Sequence, residues 1–223
     1  MWVQGVNITK VTDKKKRKQI DHLILEKEST LYFNDDLITT LVHTPQLEKE
    51  LGLGYLLSHG YSVMNSDSFS FKDSSIRVNS SEEKAVFLKH STIDRLDSSI
   101  VFSLTAFFQE AALLFKQTAI SESAAIADDK TLLYKAEDLY QSNAFYKVLG
   151  QAVVQNESTF HDKILLLSAK CDSQLMKLCC RFHFKAILTR TAPTFQAVQM
   201  ANDANILLIG FARGKRFNLY NKK

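Results

Sequence analysis

The chain has 223 residues, of which 45% are hydrophobic and 23% are charged, and its formal net charge is +4. This composition is ordinary for a globular protein. No apolar run reaches the roughly 18 uncharged residues that a membrane span needs, and residues 1–5 lack the basic start and apolar stretch of a signal peptide. We therefore expect a cytoplasmic protein without a membrane partner.

The three cysteines, Cys171, Cys179 and Cys180, predict free thiols, because their number is odd and two are neighbours. Cys171 lies just before a predicted helix, whose dipole can lower the pKa of the thiol and make it nucleophilic. The alternative, which we favour, is a small residue at a strand-to-helix turn. We expect Cys179 and Cys180 in the apolar core. Neither cysteines nor histidines show metal-ligand spacing, so no metal site is predicted.

A basic run, residues 14–18, places five cations in five consecutive positions. Clustered lysines can hold an anionic surface or nucleic acid. This run has no interleaved aromatic residues and precedes the first apolar-patterned segment, so we interpret residues 1–20 as a solvated, partly mobile basic arm. No nucleic-acid partner is predicted.

Residues 21–90 read as a β-rich subdomain that contains one helix. Short apolar runs predict strands, with a turn at residues 34–36. Thr44 can cap the helix and Gly60 can end it in the left-handed conformation. Apolar residues alternate with polar ones over residues 69–78, as in a half-buried hairpin.

Residues 91–223 alternate helix and strand, which is typical of an α/β domain whose sheet lies between helices. Ligands bind such sheets at strand ends and helix starts. The first helix is almost free of charge, and we expect it to be buried on several sides. The predicted elements are a helix over 101–117, strands over 123–127 and 131–135, a helix over 139–155, a strand over 163–168, a helix from Asp172, a strand over 184–189, a helix from Pro193, and strands over 206–211 and 217–220.

A basic loop near the C-terminus is the most suggestive chemical feature. It places three cations within four residues between two apolar strands. In a tight hairpin their charged groups would converge, and a glycine among them lets the backbone approach a ligand. This suits a phosphate or pyrophosphate, although a solvated basic turn remains the alternative. The candidate binding residues are Phe211, Ala212, Arg213, Gly214, Lys215 and Arg216.

Four segments, in order, resemble one family. Residues 41–60 (LVHTPQLEKELGLGYLLSHG) resemble the pattern TPxDxxELAxGFLxSEGI, and residues 137–150 (EDLYQSNAFYKVLG) resemble EDVGRHNAVDKVIG. Residues 191–198 resemble SAPTxxAV, and residues 210–220 resemble GFxRxxRxxxY. Together they identify the chain as similar to the FdhD family of formate dehydrogenase accessory proteins.

The resemblance implies a sulfurtransferase that passes sulfur from a cysteine desulfurase to the molybdenum cofactor of formate dehydrogenase. It implies a persulfide on a CGxCG loop, and molybdopterin guanine dinucleotide or GDP bound at residues 211–216. It also implies a homodimer. The implied fold is a three-layer α/β sandwich resembling cytidine deaminase, with a smaller β-rich N-terminal part containing one helix.

The chain departs from the family pattern where sulfur would be handled. Residues 89–99 stand where the CGxCG loop is expected and contain no cysteine. In EDVGRHN, the glycine, arginine and histidine become Tyr140, Gln141 and Ser142. The family's TGGxHAA corresponds to residues 118–124, without its glycines and histidine.

In the segment resembling SGRxSxE, Lys170 replaces the arginine and Cys171 follows it. Persulfide transfer needs a thiolate that accepts and then presents sulfur. We therefore assign no catalytic residue and keep Cys171 only as a weak candidate, which leaves open whether the chain is an enzyme.

Two interpretations remain. The first is the family's sulfur-delivery function; the second is a non-catalytic relative that binds a guanine nucleotide, molybdopterin dinucleotide or a protein partner. Glu137, Asp138 and Asn143 either orient helix starts beside the binding site or simply cap the helix near Leu139.

Overall fold

A computed structural model describes residues 2–64, 68–80, 96–157 and 159–221. The N-terminal element is a two-stranded antiparallel ribbon of β1 (Val3–Val11) and β2 (Lys16–Ile24). The basic run is exposed and occupies the turn and the start of β2. The predicted arm is therefore a β-ribbon, and its basic residues are exposed, as a solvated arm requires. The boundary at residue 20 and the mobility of the arm stay predictions. Five of the nine residues of β1 are β-branched, which favours this extended structure.

A four-stranded sheet follows, with strand order β4-β3-β6-β5. It consists of β3 (Lys27–Phe33), β4 (Asp36–His43), β5 (Ser68–Lys72) and β6 (Ser75–Asn79). The turn predicted at residues 34–36 is confirmed, because Asn34 and Asp35 have φ values of 48° and 67°. The predicted hairpin over residues 69–78 is also confirmed.

Helix α1 (Glu48–Ser58) begins and ends by different means. Its first residue follows Leu47, which is left-handed and provides no side-chain cap. The prediction that Thr44 caps the helix is wrong; the Thr44 hydroxyl instead donates to Asp138. Gly60 ends the helix as predicted, with a φ of 93° and its N–H donating to the Leu57 carbonyl.

Helix α1 crosses α4 (Gln141–Val154) at backbone contact distance. A Cβ atom added to Gly54 would lie 1.7 Å from the Tyr146 carbonyl oxygen. A Cβ added to Gly150 would lie 1.9 Å from the Glu50 carbonyl oxygen. The crossing therefore requires glycine on both helices, within the first two segments that resemble the family.

The larger sheet has the strand order β12-β11-β10-β9-β7-β8. Strands β9, β10 and β11 run parallel, and the remaining pairs are antiparallel. The two central strands are completely buried, as expected when helices cover both faces. The strands are β7 (Glu122–Ala127), β8 (Leu132–Asp138), β9 (Ile164–Leu167), β10 (Ala186–Thr189), β11 (Leu207–Arg213) and β12 (Arg216–Leu219).

The helix predicted over residues 101–117 is two helices, α2 (Ser98–Ala111) and α3 (Leu113–Thr118), separated at Ala112. The expectation of burial on several sides is wrong. Helix α2 buries one stripe against the larger sheet, whereas Phe107 and Leu113 are 43% and 65% exposed. A helix with a single charge, Glu110, can still be amphipathic, because mostly small and polar residues occupy its outer face.

Helices cover both faces of the larger sheet, which confirms the predicted α/β class. Helix α2 packs on one face, and α4, α5 (Ser173–Cys179) and α6 (Phe195–Asp203) pack on the other. The hydrophobic core on the side of α4, α5 and α6 continues through α1 into the four-stranded sheet, across the boundary predicted near residue 90. That division into 21–90 and 91–223 stays a prediction. Among the described residues, no helix has the length and apolarity that a bilayer span requires.

Candidate functional site

Three loops meet where the parallel strands end, and we call this surface the carboxyl edge: residues 168–172, 190–194 and 211–216. Backbone hydrogen bonds join them. The Arg190 N–H donates to the Leu167 carbonyl at 3.1 Å, and the Thr194 N–H donates to the Cys171 carbonyl at 3.0 Å. The Phe211 N–H donates to the Thr191 carbonyl, also at 3.1 Å. Such an edge is where ligands bind in open α/β sheets.

Cations come to the carboxyl edge from all three loops. The Arg213 Nε donates to the Arg190 carbonyl at 2.7 Å, and Arg213 and Arg216 are cross-strand partners. Partial burial, and then the charge of Arg213, lowers the pKa of Arg190. Lys170 is largely exposed and lies 3.7 Å from the Asp172 carboxylate. The excess of positive charge favours an anionic ligand.

The structure confirms the hairpin predicted for residues 211–216, but its residues differ in accessibility. Arg213 and Arg216 lie side by side because cross-strand partners project from the same face. Lys215 is exposed in the turn, and Ala212 is buried. Gly214 has a φ of 55° and no atom within 4 Å of the position a Cβ would occupy. Binding of a ligand by these residues stays a prediction.

Gln141, which stands where the family pattern has arginine, fixes the loop after β9. Its Oε1 accepts from the Ala169 N–H at 2.8 Å and from the Ser168 hydroxyl at 3.2 Å. Its Nε2 donates to the Ser123 carbonyl at 2.8 Å, and Ser168 also donates to the Glu122 carboxylate. The neutral Gln141 amide uses both its oxygen and its nitrogen in hydrogen bonds, so its role here is structural. The sequence did not reveal this role.

Cys171 and Cys179 lie in the core behind the carboxyl edge, whereas Cys180, also expected in the core, is only partly buried. Cys171 is fully buried, and burial, followed by the charges of Asp172 and Cys180, raises the pKa of its thiol to about 12. The alternative of a helix dipole that lowers this pKa is wrong, because burial dominates and Asp172, which caps α5, adds negative charge. The favoured interpretation, a small residue at a strand-to-helix turn, is confirmed. Burial also raises the pKa of Cys179, and that of Cys180 to about 11. The predicted core position of Cys179 is confirmed.

A second polar cluster, the buried clamp, consists of Thr44, Asp138, Asn143 and Lys147. The Lys147 Nζ lies 2.5 Å from Asp138 Oδ2 and donates to the Thr44 hydroxyl at 2.8 Å. The Thr44 N–H and the Asn143 Nδ2 donate to the same carboxylate at 3.1 Å each. Asp138 and Lys147 have no exposed side-chain surface, and burial lowers the pKa of Lys147. The clamp joins β4 and the loop after it to the start of α4.

Glu137 and Asp138 cap different elements. The Glu137 carboxylate accepts from the Leu114 and Phe115 N–H groups at 2.7 and 2.8 Å, at the start of α3. Asp138 Oδ1 accepts from the Leu139 N–H at 2.7 Å, just before α4. The capping interpretation is wrong for the helix itself, because Asp138 caps the turn before α4 and the N-cap residue of α4, Tyr140, provides no side-chain hydrogen bond. Glu137 caps α3, a separate helix start within the single helix that the sequence predicted.

The segment expected to hold the family's cysteine loop lies mostly within residues 81–95, outside the described residues. A lysine in a largely apolar helix and an acid at a strand end were the available signals for the buried clamp. No comparable signal marked Arg190, because its place at the carboxyl edge follows from the parallel order of the strands.

Comparisons with known proteins agree with one another. The FdhD/NarQ family matches residues 75–223. A protein named sulfur carrier protein FdhD from Listeria monocytogenes serotype 4b (strain F2365) is 27% identical, with 86% of each chain covered. One of the same name from Staphylococcus aureus (strain JH9) is 26% identical, with 97% of this chain and 94% of the relative covered.

A crystal structure assigned as a formate dehydrogenase accessory protein from Desulfotalea psychrophila has a TM-score of 0.86 and 19% identity. The matched region covers 100% of this chain and 98% of the chain in that crystal structure. This likeness shows a shared fold.

Proposed function

The chain belongs to the FdhD/NarQ family, and from this premise we propose that it is an accessory protein for sulfur delivery to formate dehydrogenase that acts by binding an anionic cofactor. The observation that supports it is the carboxyl edge, where Lys170, Arg190, Arg213 and Arg216 come from three separate loops. Arginine side chains pair with phosphate oxygens through two parallel N–H donors.

The residues present suit a pyrophosphate-containing ligand. Among the described residues, the Thr191 hydroxyl is buried at this edge without a hydrogen-bond partner, which leaves a donor for a ligand oxygen. For molybdopterin guanine dinucleotide or GDP, we assign the phosphates to Arg190, Arg213 and Arg216. The bound dinucleotide would supply the molybdenum chemistry used by the client enzyme. This chain's residues bind and orient it.

Persulfide transfer by this chain is the second candidate, supported by the name sulfur carrier given to relatives at 26–27% identity. The thiols argue against it. Cys171 and Cys179 are fully buried, and the thiolate form that attacks sulfur is disfavoured in all three cysteines by their raised pKa.

Further features of the proposal come from the family resemblance. We propose a cytidine-deaminase-like arrangement of the larger sheet, a homodimer, and a cytoplasmic location. The proposed protein partners are a cysteine desulfurase and formate dehydrogenase. Helices on both faces of a sheet with parallel central strands support the first of these.

Calorimetry with GDP tests cofactor binding. We expect saturable binding by the wild type and at least about tenfold weaker binding by Arg213→Ala/Arg216→Ala, since charge-assisted hydrogen bonds contribute about 1.5–3 kcal/mol each. The matched control is Lys130→Ala/Lys177→Ala, which removes two exposed cations elsewhere. Equal affinity in all three proteins, or no binding by the wild type, would contradict the proposal.

Transfer of radiolabelled sulfur from a cysteine desulfurase separates the two candidates. The account predicts no label on the native protein. It also predicts label on the three cysteines after unfolding, when their burial is lost. Label on native Cys171 would establish the persulfide carrier and contradict the binding-only proposal.

A further inference from the structure

The outer edge of β1 is an open hydrogen-bonding edge. Among the described residues, β1 pairs only with β2. Bonds from the Thr12 N–H to the Lys15 carbonyl and from the Leu25 N–H to the Trp2 carbonyl show that even-numbered residues of β1 face β2. In an antiparallel pair the alternate residues direct both backbone groups away from the partner. The outward residues are Val3, Gly5, Asn7, Thr9 and Val11.

This edge lacks the usual protection against strand pairing. Natural edge strands are blunted by proline, bulges or charges. Strand β1 (VQGVNITKV) has nine residues, regular pairing with β2, no proline and one charge, Lys10. A two-stranded ribbon alone is marginally stable in water, and Val11 and Ile20 are more than 60% exposed on it.

The sequence of β1 is self-complementary about Asn7. We propose that β1 pairs antiparallel with β1 of a second copy, on a two-fold axis at Asn7, to form an intermolecular four-stranded sheet. In this register Val3 lies opposite Val11 of the second copy, Val6 opposite Ile8, and Lys10 opposite Gln4. Apolar residues meet apolar ones and no like charges are opposed, which favours the pairing.

Backbone geometry and charge both select this arrangement. The register matches Val3 to Val11, Gly5 to Thr9 and Asn7 to itself, so every outward-directed group of β1 gains a partner. The basic turn at residues 13–16 then lies at opposite ends of the interface in the two copies. Nine residues at about 3.4 Å each separate the turns by about 30 Å, beyond the ~8 Å screening length at physiological salt. Parallel pairing would place the turns side by side.

The proposed interface identifies the outer edge of β1 as the contact surface of the homodimer. It does not depend on cofactor binding. A monomeric variant that still binds GDP would leave the proposed function intact, and a dimer that does not bind GDP would leave this inference intact. The two proposals therefore fail separately.

Sedimentation of the full chain tests the interface first. We expect a particle of about twice the 25.3 kDa chain mass. Asn7→Lys places like charges opposite each other on the axis, so the dimer dissociation constant should rise at least about tenfold. His22→Lys adds the same charge to the exposed β2 and should change it less than about twofold. A monomeric wild type, or equal effects of the two variants, would overturn the inference.

Oxidative cross-linking tests the register. Residues opposed as a hydrogen-bonded pair have Cα atoms about 5.5 Å apart, within the ~4.4–6.8 Å range of disulfides. Asn7→Cys should therefore form a disulfide-linked dimer. Thr9→Cys should not, because its copy would lie about 14 Å away along the strand. A dimer that cross-links through neither variant, or through Thr9→Cys alone, would contradict the proposed register.

Discussion

The buried clamp and the carboxyl edge respond differently to divergence from the family pattern. The clamp residues Thr44, Asp138, Asn143 and Lys147 match that pattern and form a buried network of direct hydrogen bonds. At the carboxyl edge, Lys170 stands where the family pattern has arginine and Cys171 is buried, and Gln141, which bonds this edge from the start of α4, replaces a second arginine. The chain therefore retains what holds its two sheets together and departs from the family pattern where sulfur would be handled, while cations remain at the edge.

The largest expected effect is in the clamp. Asp138→Ala leaves the Lys147 ammonium buried without a carboxylate and should lower the free energy of unfolding by about 3–5 kcal/mol. Urea denaturation followed by circular dichroism measures it. Asp129→Ala removes a partly exposed ion pair with Lys185 and should cost less than about 1 kcal/mol. Similar losses would refute a special role for the clamp.

The helix crossing beside the clamp should tolerate no added methyl group. Gly54→Ala forces α1 and α4 apart, because the new Cβ meets the Tyr146 backbone, and should cost about 1–3 kcal/mol or more. Gly5→Ala meets only the end of the Ile20 side chain and should stay within about 0.5 kcal/mol of the wild type. Equal midpoints in urea for the two variants would show that the helices separate freely.

Acid should lower the free energy of unfolding through His43, which lies beside the buried clamp. Burial lowers the pKa of His43 from its usual 6.5, so between the two values the unfolded chain binds a proton that the folded chain does not. The contribution of His43 to stability therefore falls as the pH drops below about 6.5 and is constant above it. His43→Gln should reduce the difference between urea midpoints at about pH 7.5 and 5.5. His59, whose pKa burial also lowers, accounts for the remainder. An unchanged pH dependence would contradict this assignment.

The smallest effect on stability is expected at the carboxyl edge. Arg213→Ala removes an exposed side chain with one hydrogen bond, to the Arg190 carbonyl. Its free energy of unfolding should stay within about 0.5 kcal/mol of the wild type, although GDP affinity falls. A loss above about 2 kcal/mol would make Arg213 structural and would remove the contrast between the two regions.

Local sequence signals predicted most elements of the fold. The left-handed turn at residues 34–36, the helix stop at Gly60 and the alternation of β5 and β6 depend on nearby residues alone. The N-terminal ribbon was missed because its lysines suggested solvation, although β1 is rich in β-branched residues. The break at Ala112 was missed because no proline or glycine marks it.

The candidate site was only partly predictable, because it assembles from distant segments. The hairpin at residues 211–216 follows from its own sequence, whereas Arg190 joins it only through the parallel order of β10 and β11. Thr44 and Lys147 are 103 residues apart, and their contact depends on the packing of α1 against α4. The favoured interpretation of Cys171, a small residue at a strand-to-helix turn, is confirmed, and burial outweighs the helix dipole on which the reactive alternative rested.

The central claim is that this chain binds an anionic cofactor through cations from the three loops of the carboxyl edge. A GDP titration of the variant Lys170→Ala/Arg190→Ala/Arg213→Ala tests it most directly. The account predicts that binding is abolished while the urea midpoint stays close to that of the wild type. Retained wild-type affinity in a folded triple variant would contradict it.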